Sequence, residues 1–306
     1  MNFICRLTAA AGLLLSAAGC ASSSPERTGE TVRFGAVADV QYCASPEQNG
    51  ARHYRQSKEL LGEDVRELNA AAPGFVLNLG DLIDRGWENY DPILAELGKL
   101  KMPVYSVAGN HDFSVPDEMK NRVSPRLGQP AAYYMFKYGN WRFLALNTNA
   151  VSLYAHPSGS AAAVRCREII SSEYPAELKL GYNGGYGEDQ LRWVNGQLAE
   201  AAAAGELVVI FQHCPVAPGG ESPAALDSDR LLEIIDRHPG TVRLCLSGHH
   251  HPGGEFVRNN VLFKTVKGQV EADEPTYIVV DLTDSGVAVH GFGHETDSAM
   301  TFKSGR

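Results

Sequence analysis

Between residues 31 and 112, short apolar runs alternate with stretches of helical period. "TVRFGAVADVQY" is a β-like run whose apolar part stops at Asp39. Residues 52–73 follow a 3.6-residue period, with Leu60, Leu61, Val65 and Leu68 on one face, and Pro73 ends the helix they predict. "GFVLNLGDLID" is a continuously apolar strand that reaches Asp81. A second helix is expected over 88–100, and "MPVYSVAGNHD" is a strand ending at Asn110 and His111. This alternation predicts a mostly parallel sheet covered on both faces.

The texture then changes. "AAYYMFKYGNWRFLALNT" reads as a hairpin turning at Gly139–Asn140. Residues 150–186 show few clear elements and are expected to form an insertion that could wall a substrate pocket. A helix follows over 188–205, with Leu191, Val194 and Leu198 on one side. "ELVVIFQHCP" is a buried strand ending at His213, "DRLLEIIDRH" a helix, and "TVRLCLSGHHH" the next strand. Residues 254–292 read as a β-meander with turns at Asn259–Asn260 and Asp284–Gly286. No internal repeat is visible. The whole predicts one α/β domain over 32–293, two mixed sheets packed together with helices outside, and a short tail over 294–306.

The N-terminus belongs to none of this. Arg6 precedes the apolar run Leu7–Ala18, which is too short and alanine-rich for a membrane span, and "SAAGC" follows. Residues 1–19 read as a secretory signal peptide. Its end resembles the lipobox of bacterial lipoproteins, with Cys20 as the lipidated residue, although Ala17 stands where leucine is usual. Ordinary signal cleavage nearby is the alternative. Residues 20–31 then form a flexible polar tether, and the expected location is exported, anchored to a membrane but not spanning it, periplasmic or at the cell surface.

Loss of Arg6 with the signal would take the net charge from −9 to −10. An acidic domain of this kind is a poor non-specific ligand for nucleic acid. It can still take a small anion, because bound cations reverse the local field. Cys43, Cys166, Cys214 and Cys245 remain after the signal region, and their pairing is open, with Cys245 expected to be simply buried in its strand. Oligomeric state leaves no trace in the sequence.

Five apolar strands end alike: at Asp39 with Gln41, at Asp81, at Asn110 with His111, at His213, and at His249 with His251. In open α/β sheets ligands bind beyond the carboxyl ends of the strands. Each residue has an ordinary reading by itself. A strand-end Asp is commonly a turn residue or helix cap, and a lone His is commonly buried and satisfied. Five coincidences in chain order argue otherwise. The set offers carboxylates, amides and imidazoles but needs no thiolate, and it holds more ligands than one ion uses. Two cations about 3.5–4 Å apart could hold a hydroxide between them and clamp a phosphoryl group.

These residues resemble the calcineurin-like metallophosphoesterases. That family's pattern of D-x-H, G-D, G-N-H-D/E, a lone H and G-H-x-H appears here as "ADVQ", "GDLID", "GNHD", "FQHCP" and "GHHH". The resemblance implies a four-layer α/β/β/α sandwich. It implies that Asp39, Gln41, Asp81 and His251 hold one metal, and that Asp81 bridges to a second held by Asn110, His213 and His249. His250 would be no ligand, and His111 would stand over the phosphate as a hydrogen-bond or proton donor. Gln41 departs from the commoner histidine. Its amide oxygen is a harder donor, which makes Mn²⁺ the expected ion, with Mg²⁺, Fe or Zn²⁺ as alternatives.

The D-x-Q-Y form, with "YNGGYGEDQLRWV" and "GHHHPGGEF", is similar to the manganese-dependent ADP-ribose/CDP-alcohol diphosphatase branch. That likeness implies hydrolysis of the pyrophosphate in ADP-ribose or CDP-choline-like compounds, by a hydroxide bridging the two metals, with Asp81 and His111 as the catalytic residues. Arg52, His53, Tyr54 and Arg55 are candidates for binding the second phosphate or the base, and Tyr182, Asn183 and Tyr186 for the nucleoside. Tyr54 could equally pack its helix against the sheet. The rival readings are a phosphomonoesterase, a phosphodiesterase for cyclic nucleotides or an envelope pyrophosphate, and an inactive binding lipoprotein.

Overall fold

The computed structural model describes residues 31–45, 48–174, 176, 179–217 and 223–303. The signal peptide, Cys20 and nearly all of the expected tether lie outside the described residues. From β1 (Val32–Val37) the chain runs through α1 (Ser57–Ala71) to β2 (Val76–Asn78), then through α2 (Tyr90–Leu97) to β3 (Val104–Ser106). Two single-turn helices, α3 (Asp117–Lys120) and α4 (Val123–Arg126), precede the hairpin of β4 (Tyr134–Tyr138) and β5 (Trp141–Ala145). The insertion contains β6 (Val151–Ser152), α5 (Ala161–Glu173) and β7 (Gly184–Gly185). Next, α6 (Glu188–Ala204) leads into β8 (Leu207–Phe211), and α7 (Ser228–Arg237) into β9 (Val242–Ser247). The chain closes with β10 (Gly254–Arg258), β11 (Val261–Thr265), β12 (Tyr277–Thr283), β13 (Gly286–Phe292) and β14 (Ser298–Thr301).

Two six-stranded mixed sheets result, in the orders β14-β13-β12-β1-β2-β3 and β10-β11-β9-β8-β5-β4. In the first, β1, β2 and β3 are parallel neighbours; in the second, β5, β8, β9 and β11 are. The sheets pack face to face over Phe34, Phe75, Phe143, Phe211, Leu244 and Ile278, all completely buried. Phe34 and Phe75 stack at 5.2 Å, and Phe143 meets both edge-on, so aromatic pairs fill the centre of the interface. On the outer face of the first sheet lie α1 and α2, through Leu61, Val65 and Ile93. On the outer face of the second lie α6 and α7, through Val194, Leu198, Leu231 and Ile235. The expected α/β/β/α sandwich is therefore present.

Several boundaries differ from expectation. Helix α1 begins at Ser57, not near 52, because the backbone of Arg52 and His53 is spent on Asn49 and on the carbonyl of Val270. It stops where Ala72 turns left-handed, at φ 48°. Residues 161–173 form a helix inside the insertion, capped by Ser160, whose hydroxyl accepts the Ala163 N–H. Its buried face is Ala163, Cys166 and Ile170, too small and weakly apolar to mark a period. The expected C-terminal meander is two hairpins in different sheets: β10 and β11 extend the second, β12 and β13 the first. The expected tail is also corrected. β14 pairs with β13, and Phe302 is buried in the central core beside Trp141, so the domain continues through residue 302. Cys43, Cys166, Cys214 and Cys245 are all free and buried.

Candidate metal centre

The seven expected ligands stand on the loops that leave β1, β2, β3, β8 and β9, all at the carboxyl ends of parallel strands. Four come from the first sheet (Asp39, Gln41, Asp81, Asn110) and three from the second (His213, His249, His251). Seven non-glycine residues among those described have positive φ, and four of them are Asp39 at 51°, Gln41 at 45°, Asp81 at 54° and His249 at 70°. Left-handed backbone is costly for residues with a Cβ, so its concentration here marks a functional site. Glycines let the loops close together. A Cβ on Gly109 would lie 2.1 Å from Asp81 Oδ1.

Around Asp81 Oδ2 the side chains form two groups. In one, the Gln41 amide donates to Asp81 Oδ2 at 3.2 Å and lies 3.0 Å from His251 Nε2, which is 3.6 Å from Asp39 Oδ1. In the other, His213 Nε2 lies 3.3 Å from Asp81 Oδ2, 3.1 Å from Asn110 Oδ1 and 3.2 Å from His249 Nδ1. Asp81 thus faces both groups, and together with His213 and His249 it forms a cluster whose ligand atoms lie within 4.8 Å of one another. Asp39 Oδ1 and Gln41 Oε1 are buried without a hydrogen-bond partner. Two buried oxygens without a hydrogen bond on one half-shell suit a cation, and a half-turn of the Gln41 amide presents Oε1 to it. The donor set fits two divalent ions. His250 borders the same cavity, but among the described residues no hydrogen bond ties its ring to either group.

The second layer fixes the first. His213 Nδ1 donates to the Leu79 carbonyl at 2.9 Å, which aims Nε2 at Asp81 and makes it the nitrogen that can give up its proton to a metal. His251 Nδ1 lies 2.7 Å from Glu271 Oε1, and His111 Nδ1 is 3.1 Å from both the carbonyl and Oδ1 of Asp84. Asp112, completely buried, accepts the N–H groups of Asp81, Leu82 and Gly109 and the Tyr90 hydroxyl, tying the β2 loop to the β3 loop. Sequence reading missed Glu271, Asp84 and Asp112 as supports. "GNHD" carried a signal for Asp112, whereas nothing local marks Glu271, which lies 20 residues beyond His251.

The charges are tightly interdependent. Burial opposes ionisation of Asp81, yet His213, His111 and His249 overcome it and hold its carboxyl well below the usual range. Burial equally opposes a charge on His213, but the Asp81 carboxylate takes its pKa up to about 9. His251 also rises to about 9, burial being outweighed by the Asp39 and Glu271 carboxylates beside it. His249 falls to about 3, through burial and then the positive His213 beside it. Asp112 is pushed up to about 6 by burial and by the charge of Asp81.

The site floors a cavity of about 460 Å³, whose rim includes Arg52, His111, Tyr182 and Glu271. Asn183 is buried, with Oδ1 3.5 Å from His249 Nε2, and the exposed Tyr182 ring lies 5.7 Å from that of His249. Two substrate candidates are corrected. Tyr54 is buried against Cys43 and Val270, with Arg85 over its ring, and so packs the segment before α1 against the β1 loop and the 269–271 turn rather than lining the cavity. Tyr186 is buried in the core between the second sheet and α6. His53 and Arg55 border a separate surface depression, away from the metal cluster.

A search among known proteins agrees with this geometry. The calcineurin-like phosphoesterase family matches residues 32–253. The manganese-dependent ADP-ribose/CDP-alcohol diphosphatase of Arabidopsis thaliana is 30% identical over 294 residues, covering 84% of this chain and 93% of that protein. The protein of the same name in Danio rerio is 26% identical over 316 residues, covering 88% and 98%. The crystal structure of a dimetal phosphatase from Danio rerio superposes with a TM-score of 0.78 at 25% identity, covering 90% of this chain and all of that one. With five ligand-bearing strand ends in the expected order and a family match across most of the sandwich, the chain belongs to the calcineurin-like metallophosphoesterases, hydrolases of phosphoric esters and anhydrides.

Proposed function

We propose that the protein is a dinuclear, Mn²⁺-dependent diphosphatase that cleaves the pyrophosphate of nucleoside diphosphate-X compounds such as ADP-ribose and CDP-choline. The observation that carries this is Asp81 Oδ2 set between two half-shells of oxygen and nitrogen donors at the floor of one cavity. When bound, the two ions would supply Lewis acidity and an activated water for in-line displacement at phosphorus. Asp39, Gln41 and His251 would hold one ion, Asn110, His213 and His249 the other, and Asp81 both.

The chain's own groups supply the rest. His111 Nδ1 must donate to the Asp84 carbonyl, which leaves Nε2 as the ring nitrogen free to act. Burial disfavours its charge, yet the carboxylates of Asp81 and Asp84 raise its pKa, so the imidazolium form presents an Nε2–H. That proton would go to the departing phosphate oxygen, or bond to the equatorial oxygens as charge builds. Arg52 at the rim offers a guanidinium to a second phosphate, and the exposed Tyr182 ring offers a face to a base. The relatives' names support the diphosphate substrate class, and Gln41 supports Mn²⁺.

Hydrolysis of ADP-ribose, CDP-choline, a cyclic nucleotide and p-nitrophenyl phosphate, each with Mn²⁺, is the test. The expected result is kcat/KM at least about tenfold higher for the two diphosphates. Preference for the cyclic nucleotide or the monoester would replace this reading with one of the other phosphoesterase activities. The N-terminal sequence adds that the enzyme acts outside the cytoplasm on a lipid anchor at Cys20. A Cys20→Ser chain is then expected to move from the membrane to the soluble fraction, and unchanged membrane association would refute the anchor.

A further inference from the structure

We propose that Glu271 is a positioning residue that makes His251 a metal ligand, by holding the imidazole in one tautomer and one orientation. This rests on the dinuclear reading of the site. The two ring nitrogens of His251 face different surroundings. Nε2 points into the cluster, 3.0 Å from the Gln41 amide and 3.6 Å from Asp39 Oδ1. Nδ1 lies 2.7 Å from Glu271 Oε1 on the opposite edge. A carboxylate accepts and does not donate, so the Nδ1 position keeps its proton, and the proton released when metal binds comes from Nε2, whose lone pair then serves the site.

Backbone geometry supports the pairing. Glu271 closes a single 3-10 turn, Gln269–Glu271, that the site itself holds in place. The Gln269 and Val270 N–H groups donate to the carbonyls of Ala38 and Asp39, and the Gly268 N–H donates to the His251 carbonyl. A Cβ on Gly268 would lie 2.7 Å from the His251 ring, so glycine is what lets this turn approach the imidazole. The turn therefore bonds to the β1 ligand loop on one side and to His251 on the other. Its carboxylate serves one half-shell and not the other, since His213 takes its tautomer from a backbone carbonyl instead. The same oxygen lies 3.5 Å from Arg52 Nε, so Glu271 also sets where the rim arginine stands.

Metal binding tests this without any substrate. In wild-type protein loaded with diamagnetic Zn²⁺ or Mg²⁺, ¹⁵N–¹H correlation spectra should show His251 protonated at Nδ1 and coordinating through Nε2. A proton on Nε2 would overturn the proposal. Titration with Mn²⁺, followed by calorimetry and electron paramagnetic resonance, should show two ions in wild type. In Glu271→Ala one of the two should weaken by about 10–100-fold while the other keeps its affinity. Glu271→Gln, whose amide oxygen still accepts from Nδ1, should recover most of the loss. Equal affinity for both ions in Glu271→Ala, or equal weakening of both, would overturn the selective role. Failure of the diphosphatase reading would show instead in the substrate panel, with metal titrations unchanged.

Discussion

His111 sits at the cavity rim with Nδ1 held by Asp84, while its backbone N–H donates to Asp81 Oδ1 at 2.7 Å. Its side chain lies outside both ligand groups, so His111→Ala should leave two Mn²⁺ bound and lower kcat by about 10²–10⁴-fold, as loss of a general acid does. Metal analysis beside steady-state kinetics checks both halves. Asp112, its neighbour, works on backbone instead. Asp112→Ala would strand the N–H groups of Asp81, Leu82 and Gly109, while the Tyr90 hydroxyl keeps the main-chain carbonyl of residue 112, at a cost of about 3 kcal/mol or more, a fall in Tm of roughly 10 °C. The residues legible in the sequence were those whose chemistry repeats, an Asp, Asn or His after each strand. Glu271 and Asp84 were not, because a supporting carboxylate is defined by the atom it reaches across space. Tyr54 and Tyr186 misled for the opposite reason, since an aromatic beside polar residues reads alike whether it stacks on a ligand or packs a helix.

At the level of elements, five strands deliver the site, and their continuous apolar runs made them readable. The parallel order within each sheet follows from the same runs, since both faces of β1, β2, β8 and β9 are covered. What stayed hidden had a weak period or none. In α5 the buried face is alanine, cysteine and isoleucine, and in β14 the four residues Ser298–Thr301 alternate too briefly to stand out from a tail. The loops after the strands are where strain gathers. Gly109 belongs to the β3 loop, and its substitution by alanine would drive a methyl into Asp81. We expect Gly109→Ala to keep the far-UV spectrum of the sandwich but to lose Mn²⁺ affinity at least about tenfold, which calorimetric titration would read.

For the whole molecule, acid–base balance and metal binding pull in opposite directions. Without ions, the His213–Asp81 contact stabilises the fold. The raised pKa of His213 makes that contribution complete below its ordinary 6.5 and lost as pH rises through about 9. The depressed pKa of Asp81 makes it present above the ordinary 3.8 and lost as pH falls through its lowered value. Metal, however, needs neutral imidazole, so His213 and His251 must both release protons to bind it. The Tm of ion-free protein should therefore fall between pH 6.5 and 9, while the gain in Tm on adding Mn²⁺ should grow across the same interval. A gain that shrank with rising pH would contradict the assigned ligands.

The two six-stranded sheets meet through aromatic packing at their centre, but at one rim the donors are shared between them, Asp39, Gln41, Asp81 and Asn110 from one and His213, His249 and His251 from the other. A pair of cations there would act as a clasp. Amide protons at the carboxyl ends of β1, β2, β8 and β9 should then exchange with deuterium far more slowly in loaded protein, while those at the opposite ends keep their rates, so that the sandwich breathes from its far edge only.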